Sequence, residues 1–69
     1  MTPLQQLIYD YIFKNQPICD KCIANGLGYA HNQNANTPCR KLRDLGFISR
    51  IIGHCERCNS SKILNRTLN

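Results

Sequence analysis

The sequence predicts a small α+β domain in which three helices precede a C-terminal β-hairpin. Apolar residues recur at helical spacing in the segments before residue 46, and two runs rich in β-branched residues follow it. A chain of 69 residues is the size of one domain, so we expect residues 1–69 to share one core. The sequence has neither a run approaching the roughly 18 apolar residues of a membrane span nor a secretion signal, which predicts a soluble, cytoplasmic protein.

The first helix is predicted over residues 3–14. Thr2 is a typical N-cap residue, and it can form a capping box with Gln5. Pro17 lies just beyond the helix and favours extended geometry, which predicts a very short strand over residues 17–19. The apolar side chains of the helix recur on one face, and they are Leu4, Leu7, Ile8, Tyr11 and Ile12.

The second helix is predicted to be short. Asp20 is a suitable N-cap residue for a helix that continues to about Asn25, and the glycines Gly26 and Gly28 favour its end. The polar, asparagine-rich stretch that follows offers several candidate caps for another helix.

The third helix is predicted to begin between Asn34 and Thr37 and to end at Gly46. Pro38 limits where it can begin, because a proline is tolerated only in the first turn of a helix. A glycine is typical just beyond a helix C-terminus, and Gly46 has that place. The apolar residues expected to face the core are Ala35, Cys39, Leu42 and Leu45.

Two strands are predicted over residues 47–52 and 63–68, because both segments are rich in β-formers. Residues 53–61 would form the tip of the hairpin between them. Three helices followed by a hairpin, with a short strand after the first helix, is the order of elements in a winged helix-turn-helix domain. In that architecture the third helix is the recognition helix in the major groove, and the hairpin is the wing.

The distribution of charge favours a polyanionic partner. Nine Lys+Arg residues and four Asp+Glu residues give the chain a net charge of +5. Residues 1–38 are neutral overall, so the whole excess lies in residues 39–69, which contain most of the third helix and the hairpin. The alternative is a solvated surface that only keeps a small protein soluble. Because the basic half coincides with the predicted DNA-reading elements, we expect double-stranded DNA as the partner.

The predicted DNA contacts come from the exposed face of the third helix and from the hairpin. Arg pairs with guanine, Asn and Gln pair with adenine, and Lys or Thr contacts phosphate, so this helix suits a major groove. Cations of the hairpin would contact the DNA backbone or the minor groove without reading sequence. The candidates are Gln33, Asn34, Asn36, Thr37, Arg40 and Lys41 in the helix, and Arg50, Arg57, Lys62 and Arg66 in the hairpin.

Four of the five cysteines form two Cys-x-x-Cys pairs, Cys19 with Cys22 and Cys55 with Cys58. Each pair can chelate from one turn, and four thiolates make a closed, structural Zn²⁺ site without an open catalytic position. An antiparallel pairing of residues 17–19 with the second hairpin strand would bring the two pairs together. Reduced structural thiols and a redox pair are the alternatives, but a redox motif needs a βαβ context that is not predicted here.

Three other residues are potential ligands. Cys39 lies on the predicted buried stripe of the third helix and is expected to act as a small hydrophobe, the common role of a buried cysteine. His31 and His54 lie in predicted loops, where either can replace a thiolate but where a histidine more often faces solvent.

The cysteine pairs and the third helix together resemble small prokaryotic winged-helix domains that carry cysteine pairs, found alone or attached to restriction and regulatory proteins. The resemblance covers nearly the whole chain, and it implies DNA binding by the third helix with zinc as a structural ion. We therefore expect a transcriptional regulator or an accessory DNA-binding module without catalytic activity. The segments that carry the resemblance are Cys19-x-x-Cys22-Ile23-Ala24, Cys39-Arg40-Lys41-Leu42, Leu45-Gly46-Phe47-Ile48, and Cys55-x-x-Cys58 with Lys62.

Other functions are alternatives at this point. The main one is a protein-protein interaction module on the same winged-helix scaffold. The segment from Cys55 to Lys62 also resembles the tail of an HNH nuclease, a family that needs a catalytic histidine beside a metal on a ββα unit. Neither His31 nor His54 is predicted to lie in such a unit. RNA binding is disfavoured because few aromatic residues outside the predicted core can stack on bases.

Overall fold

The computed structural model describes residues 1–68 as three helices and one antiparallel sheet. The sheet has three strands in the order β1-β3-β2, which confirms the predicted α+β class with three helices and a C-terminal hairpin. No helix among residues 1–68 combines the length and apolar character needed to cross a bilayer. The elements are α1 (Pro3–Asn15), β1 (Ile18–Cys19), α2 (Asp20–Leu27), α3 (Gln33–Asp44), β2 (Ile48–Cys55) and β3 (Ser60–Thr67).

Helix α1 begins with the predicted capping box. Gln5 N–H donates to Thr2 Oγ1 at 3.2 Å, and Thr2 N–H donates to Gln5 Oε1 at 3.0 Å. The predicted apolar stripe is only partly buried: Ile8 and Ile12 are fully buried, whereas Leu4 is 46% exposed. Two isoleucines are enough to cover this small core, and Leu4 lies instead beside an open groove next to α3.

Helix α2 begins differently from the prediction. Its N-cap is Cys19, and Asp20 is the first helical residue, because the Asp20 carboxylate is bound by side chains from α3, β2 and β3 instead of capping the helix. The helix continues past Gly26 to Leu27. It ends at Gly28, whose φ of 76° lies in the left-handed region that glycine adopts without strain.

Helix α3 begins earlier than predicted, at Gln33, so that Pro38 lies beyond the first turn. The cost of the missing N–H bond is offset by packing, since Pro38 is buried. Leu45 is the C-cap and is 49% exposed, so its predicted place in the core was wrong. Gly46 follows with a φ of 85°, as expected for a glycine that ends a helix.

The hairpin is longer than predicted. Pairing of β2 with β3 continues from Ile48 opposite Thr67 to Cys55 opposite Ser60, which leaves only residues 56–59 as the tip. The added residues include glycine, histidine and serine, which are poor strand formers on their own. Cross-strand pairing therefore extends the strands beyond the apolar runs that signal them in the sequence.

Two groups of buried residues lie on opposite faces of the sheet. Asn65 of β3 is in register with Ile18 on one side and Arg50 on the other, so these three side chains share the face that the helices cover. Leu64 is in register with Cys19 and therefore lies on the other face. The main core comprises Ile8, Ile12, Ile18, Ile23, Ala24, Ala35, Cys39, Leu42 and Ile48. The smaller cluster comprises Cys19, Cys55 and Leu64, with Cys22 and Cys58 packed against it.

Candidate metal centre and nucleic-acid interface

The four paired cysteines converge at one end of the sheet. Cys19 and Cys22 lie where β1 passes into α2, and Cys55 and Cys58 lie at the hairpin tip. The Sγ atoms of Cys19 and Cys58 are 3.6 Å apart, and those of Cys22 and Cys55 are 3.8 Å apart. All four sulfur atoms lie within 4.8 Å of one another. We call these four cysteines the sulfur cluster. The sequence identified all four of its members correctly.

Glycine at position 53 of β2 leaves room for the side chain of Leu64 on the neighbouring strand β3. A Cβ atom at Gly53 would lie 2.8 Å from Leu64 Cδ1, so the leucine side chain fills the space that any other residue would need. Leu64 also packs against Cys19 and Cys55 in the smaller cluster. Leu64 is thus an apolar neighbour of two of the four cysteines.

The spacing of the sulfur atoms fits a tetrahedral metal ion. With metal-sulfur bonds of about 2.3 Å, the sulfur atoms of a tetrahedral zinc site are about 3.8 Å apart. The Cys19–Cys58 and Cys22–Cys55 distances of 3.6 and 3.8 Å agree with that value, and the other sulfur pairs lie within 4.8 Å. All four cysteines are free thiols, so the cluster can hold a metal ion.

The thiols have different proton affinities. Burial raises the pKa of Cys19, and burial together with the neighbouring Cys19 thiol raises the pKa of Cys22. Burial acts in the same direction on Cys55, but hydrogen bonds with the backbone of Cys58, Cys19 and Arg57 lower its pKa to about 6. Metal binding requires thiolates, so a metal ion entering this cluster displaces the thiol protons.

The other potential ligands lie elsewhere. Cys39 is fully buried in the main core and outside the sulfur cluster, and burial with the nearby Asp20 charge raises its pKa to about 12. His31 is exposed on the loop before α3. His54 lies in β2 and not in the predicted loop, because cross-strand pairing extends to Cys55, and its Nε2 is 3.0 Å from Oδ1 of Asn59 in the hairpin tip. The sulfur cluster includes neither histidine.

A buried polar network connects the start of α2 to α3 and the hairpin. Arg50 donates two hydrogen bonds to the Asp20 carboxylate, at 2.9 and 3.0 Å. Asn65 donates to Asp20 Oδ1 at 2.8 Å, and Asn36 donates to Asp20 Oδ2 at 2.9 Å. Although burial acts to raise the pKa of Asp20, these three donors lower it below its usual value.

Sequence reasoning missed this network. Asp20 lies between two metal-ligand candidates and in a good capping position, and Arg50 follows the pattern of a surface cation on a strand. Their pairing spans distant parts of the chain and leaves no local signal. The side chain of Arg50 is only 3% exposed, so its prediction as a DNA contact is corrected to a structural role. Asn36 is half-buried with its amide bound to Asp20, which also withdraws it from the exposed face of α3.

The remaining predicted residues of α3 lie on one exposed face, which we call the α3 face: Gln33, Asn34, Thr37, Arg40 and Lys41. The opposite side of the helix is buried in the core and comprises Ala35, Pro38, Cys39 and Leu42. Gln33 and Thr37 lie one turn apart, with Gln33 Nε2 3.4 Å from Thr37 Oγ1.

The other hairpin cations have different surroundings. Arg57 is exposed at the tip and donates to Asn15 Oδ1 at 2.8 Å. Arg66 is exposed on β3, in register with Ser49. Lys62 is half-buried and lines a cleft together with Cys19 and residues of α3. The three side chains therefore have separate surroundings, and of them Lys62 shares a cleft with residues of α3.

A scan against protein-family models gives no match for this chain. Searches of curated proteins and of solved structures give none either. The function of this chain is therefore inferred from the geometry and chemistry of its own residues.

Proposed function

We propose that this chain is a winged helix-turn-helix domain that binds double-stranded DNA through the α3 face and the hairpin. The observation that carries the proposal is the two-sided character of α3, which buries one side in the core and leaves a polar, basic side exposed. The order of the elements and the antiparallel hairpin after α3 agree with that architecture. The role we propose is that of a small transcriptional regulator or an accessory DNA-binding module without catalytic activity.

The composition of the α3 face suits a DNA groove. Gln33 and Asn34 carry amides that can pair with adenine, and Arg40 can pair bidentately with guanine. Lys41 and Thr37 can contact phosphate. This division between base contacts and phosphate contacts is typical of a recognition helix.

The charges on this face are available for a partner. Within residues 1–68 the salt bridges join Arg43 to Asp44 and Arg50 to Asp20, so neither Arg40 nor Lys41 forms a salt bridge. The carboxylate of Asp44 lines a shallow pocket with both residues but is paired with Arg43. When Arg40 or Lys41 contacts a DNA phosphate, it releases counterions from the DNA, and this release gives an affinity that depends on salt.

We further propose that the metal of the sulfur cluster is a structural Zn²⁺. Four thiolates are a soft donor set that favours zinc over harder ions, and a complete set of four leaves no open position for a substrate. The ion would tie the start of α2 to the hairpin tip. It would stabilise the fold that presents α3 and would take no direct part in reading DNA.

The test of DNA binding is fluorescence anisotropy with a mixed-sequence duplex, measured at low and at near-physiological salt. We expect the zinc-loaded protein to bind, and Lys41→Glu to weaken binding by at least about tenfold and make the salt dependence shallower. Lys14→Glu is the matched control, because it makes the same charge change on exposed α1. Equal effects of the two variants, or no binding by the unmodified protein at low salt, would contradict the proposal.

A protein-interaction module is the second candidate, and exposed isoleucines on the hairpin favour it. Ile52 is 84% exposed and Ile51 is 62% exposed, on opposite faces of β2. For that function, Ile52→Thr would abolish partner capture while Lys41→Glu would leave it unchanged. DNA binding predicts the opposite order of effects on duplex affinity.

A further inference from the structure

A polar cleft lies beside the α3 face, between the first turns of α2 and α3 and strand β3. Its volume is about 390 Å³, and it opens to solvent. Lys21 contributes from α2, Lys62 from β3, and Asn32 and Gln33 from the start of α3. Gln33 belongs both to this cleft and to the α3 face, so the two surfaces are continuous.

The cleft contains two lysines. Within residues 1–68 neither Lys21 nor Lys62 forms a salt bridge. Asp20 is the single carboxylate among the residues that line the cleft, and its oxygens are already bound by Arg50, Asn65 and Asn36. No carboxylate of the cleft is therefore left to neutralise the two lysines, and the Cys19 thiolate of the metal-loaded protein is the other anionic group among the lining residues.

The cleft also offers neutral donors. Asn32 stands at the N-cap position of α3 without a side-chain capping hydrogen bond, and its Nδ2 group is a neutral donor among the residues that line the cleft. Two ammonium groups from separate elements together with an amide are suited to one tetrahedral oxyanion, since each lysine offers a compact charge with three donors.

We propose that this cleft binds one backbone phosphate of the DNA, held jointly by Lys21 and Lys62. The inference rests on the proposed DNA binding and adds a positioning contact to it. A phosphate in the cleft would lie next to Gln33, at the start of the α3 face, and would set how far along the groove α3 lies. Such a contact adds affinity for all sequences equally.

The same lysines have a competing explanation, because Cys19 also lines the cleft. A metal ion with four thiolates carries excess negative charge, which Lys21 and Lys62 could offset. In that case their loss would weaken retention of the metal and would leave DNA binding unchanged as long as Zn²⁺ is saturating. A DNA phosphate predicts the reverse, so the two explanations differ in a measurable way.

The test compares the unmodified protein with the double variant Lys21→Gln, Lys62→Gln by anisotropy across a series of salt concentrations. Loss of one shared phosphate contact should lower the slope of log affinity against log salt by about 0.9. Affinity at low salt should fall roughly tenfold, by the same factor for duplexes of different sequence. Lys14→Gln is the control for removal of a lysine elsewhere, and Lys21→Arg, Lys62→Arg should keep the slope.

Circular dichroism and the measured metal content of each variant ensure that only folded, metal-loaded protein is compared. An unchanged slope, with DNA binding otherwise intact, would overturn the cleft assignment alone and leave the proposed function standing. A fall of about 1.8 would overturn it in favour of two separate phosphate contacts. Easier removal of the metal by a chelator, with an unchanged slope and affinity at saturating Zn²⁺, would overturn the cleft assignment and assign the lysines to the metal site. No binding by the unmodified protein would overturn both proposals.

Discussion

Asp20 and Arg50 form a two-bond ion pair that joins the first turn of α2 to the middle of β2. The Nη1–Oδ1 and Nη2–Oδ2 distances are 2.9 and 3.0 Å. Asn65 completes the arrangement, because its amide donates to both Asp20 and the backbone carbonyl of Ile18, while its own oxygen accepts from Arg50. Among residues 1–68 no buried side-chain nitrogen or oxygen is left without a partner.

The ion pair predicts a large loss of stability on Arg50→Met. The Arg50 and Asp20 side chains are only 3% and 15% exposed, so removal of the guanidinium leaves a buried carboxylate without its cation. We expect the free energy of unfolding to fall by about 3 kcal/mol, measured by urea denaturation of the metal-loaded protein.

Arg43→Met is the matched control for that measurement. It removes the same side chain from a pair with Asp44 that is 46% and 61% exposed, so the expected loss is under about 1 kcal/mol. Comparable losses for the two variants would contradict the structural role assigned to the Asp20–Arg50 pair.

Removal of the metal is expected to unfold the domain. Structural zinc commonly contributes about 10–16 kcal/mol of apparent free energy, whereas a core of this size rarely supplies more than about 5 kcal/mol. Addition of EDTA under reducing conditions should therefore abolish the helical circular dichroism signal, and excess Zn²⁺ should restore it. An unchanged spectrum after chelation would refute the structural role of the metal.

Single cysteine variants should separate the sulfur cluster from the core. Cys22→Ser and Cys58→Ser each remove a ligand and should lower the bound metal well below one equivalent. Cys39→Ala should retain a full equivalent, because Cys39 lies in the main core, and should only lower stability. The measurement is metal content after dialysis against a weak chelator, and metal loss from Cys39→Ala would contradict the assignment.

Gly26→Ala should destabilise the domain, although alanine usually favours a helix. A Cβ atom at Gly26 would collide with the Tyr11 ring, so the ring must leave its half-buried place. We expect a loss of about 1 kcal/mol or more in thermal or urea unfolding. Asn25→Ala, at the exposed neighbouring position, should be neutral or stabilising. A stabilising Gly26→Ala would show that the ring moves freely.

The local signals in the sequence were sufficient for the order of the elements and for the four cysteines of the sulfur cluster. A capping box involves only Thr2 and Gln5, and a helical stripe involves residues within a few turns, so both can be recognised without the fold. The two Cys-x-x-Cys pairs are recognisable for the same reason, since each pair chelates from one turn. The predicted antiparallel strand after the first helix then accounts for how the pairs meet.

What the tertiary structure alone decided is which polar and apolar side chains are buried. Arg50 resembles any surface cation in sequence, and Asp20 resembles a helix cap, because their partners lie 15 to 45 residues away along the chain. Leu4 and Leu45 fit the apolar stripes of their helices, yet both side chains are exposed because other residues already fill the small core. Periodicity states which residues of one helix share a face. Only the packing of several elements determines how much of that face is covered, and which charges are buried with it.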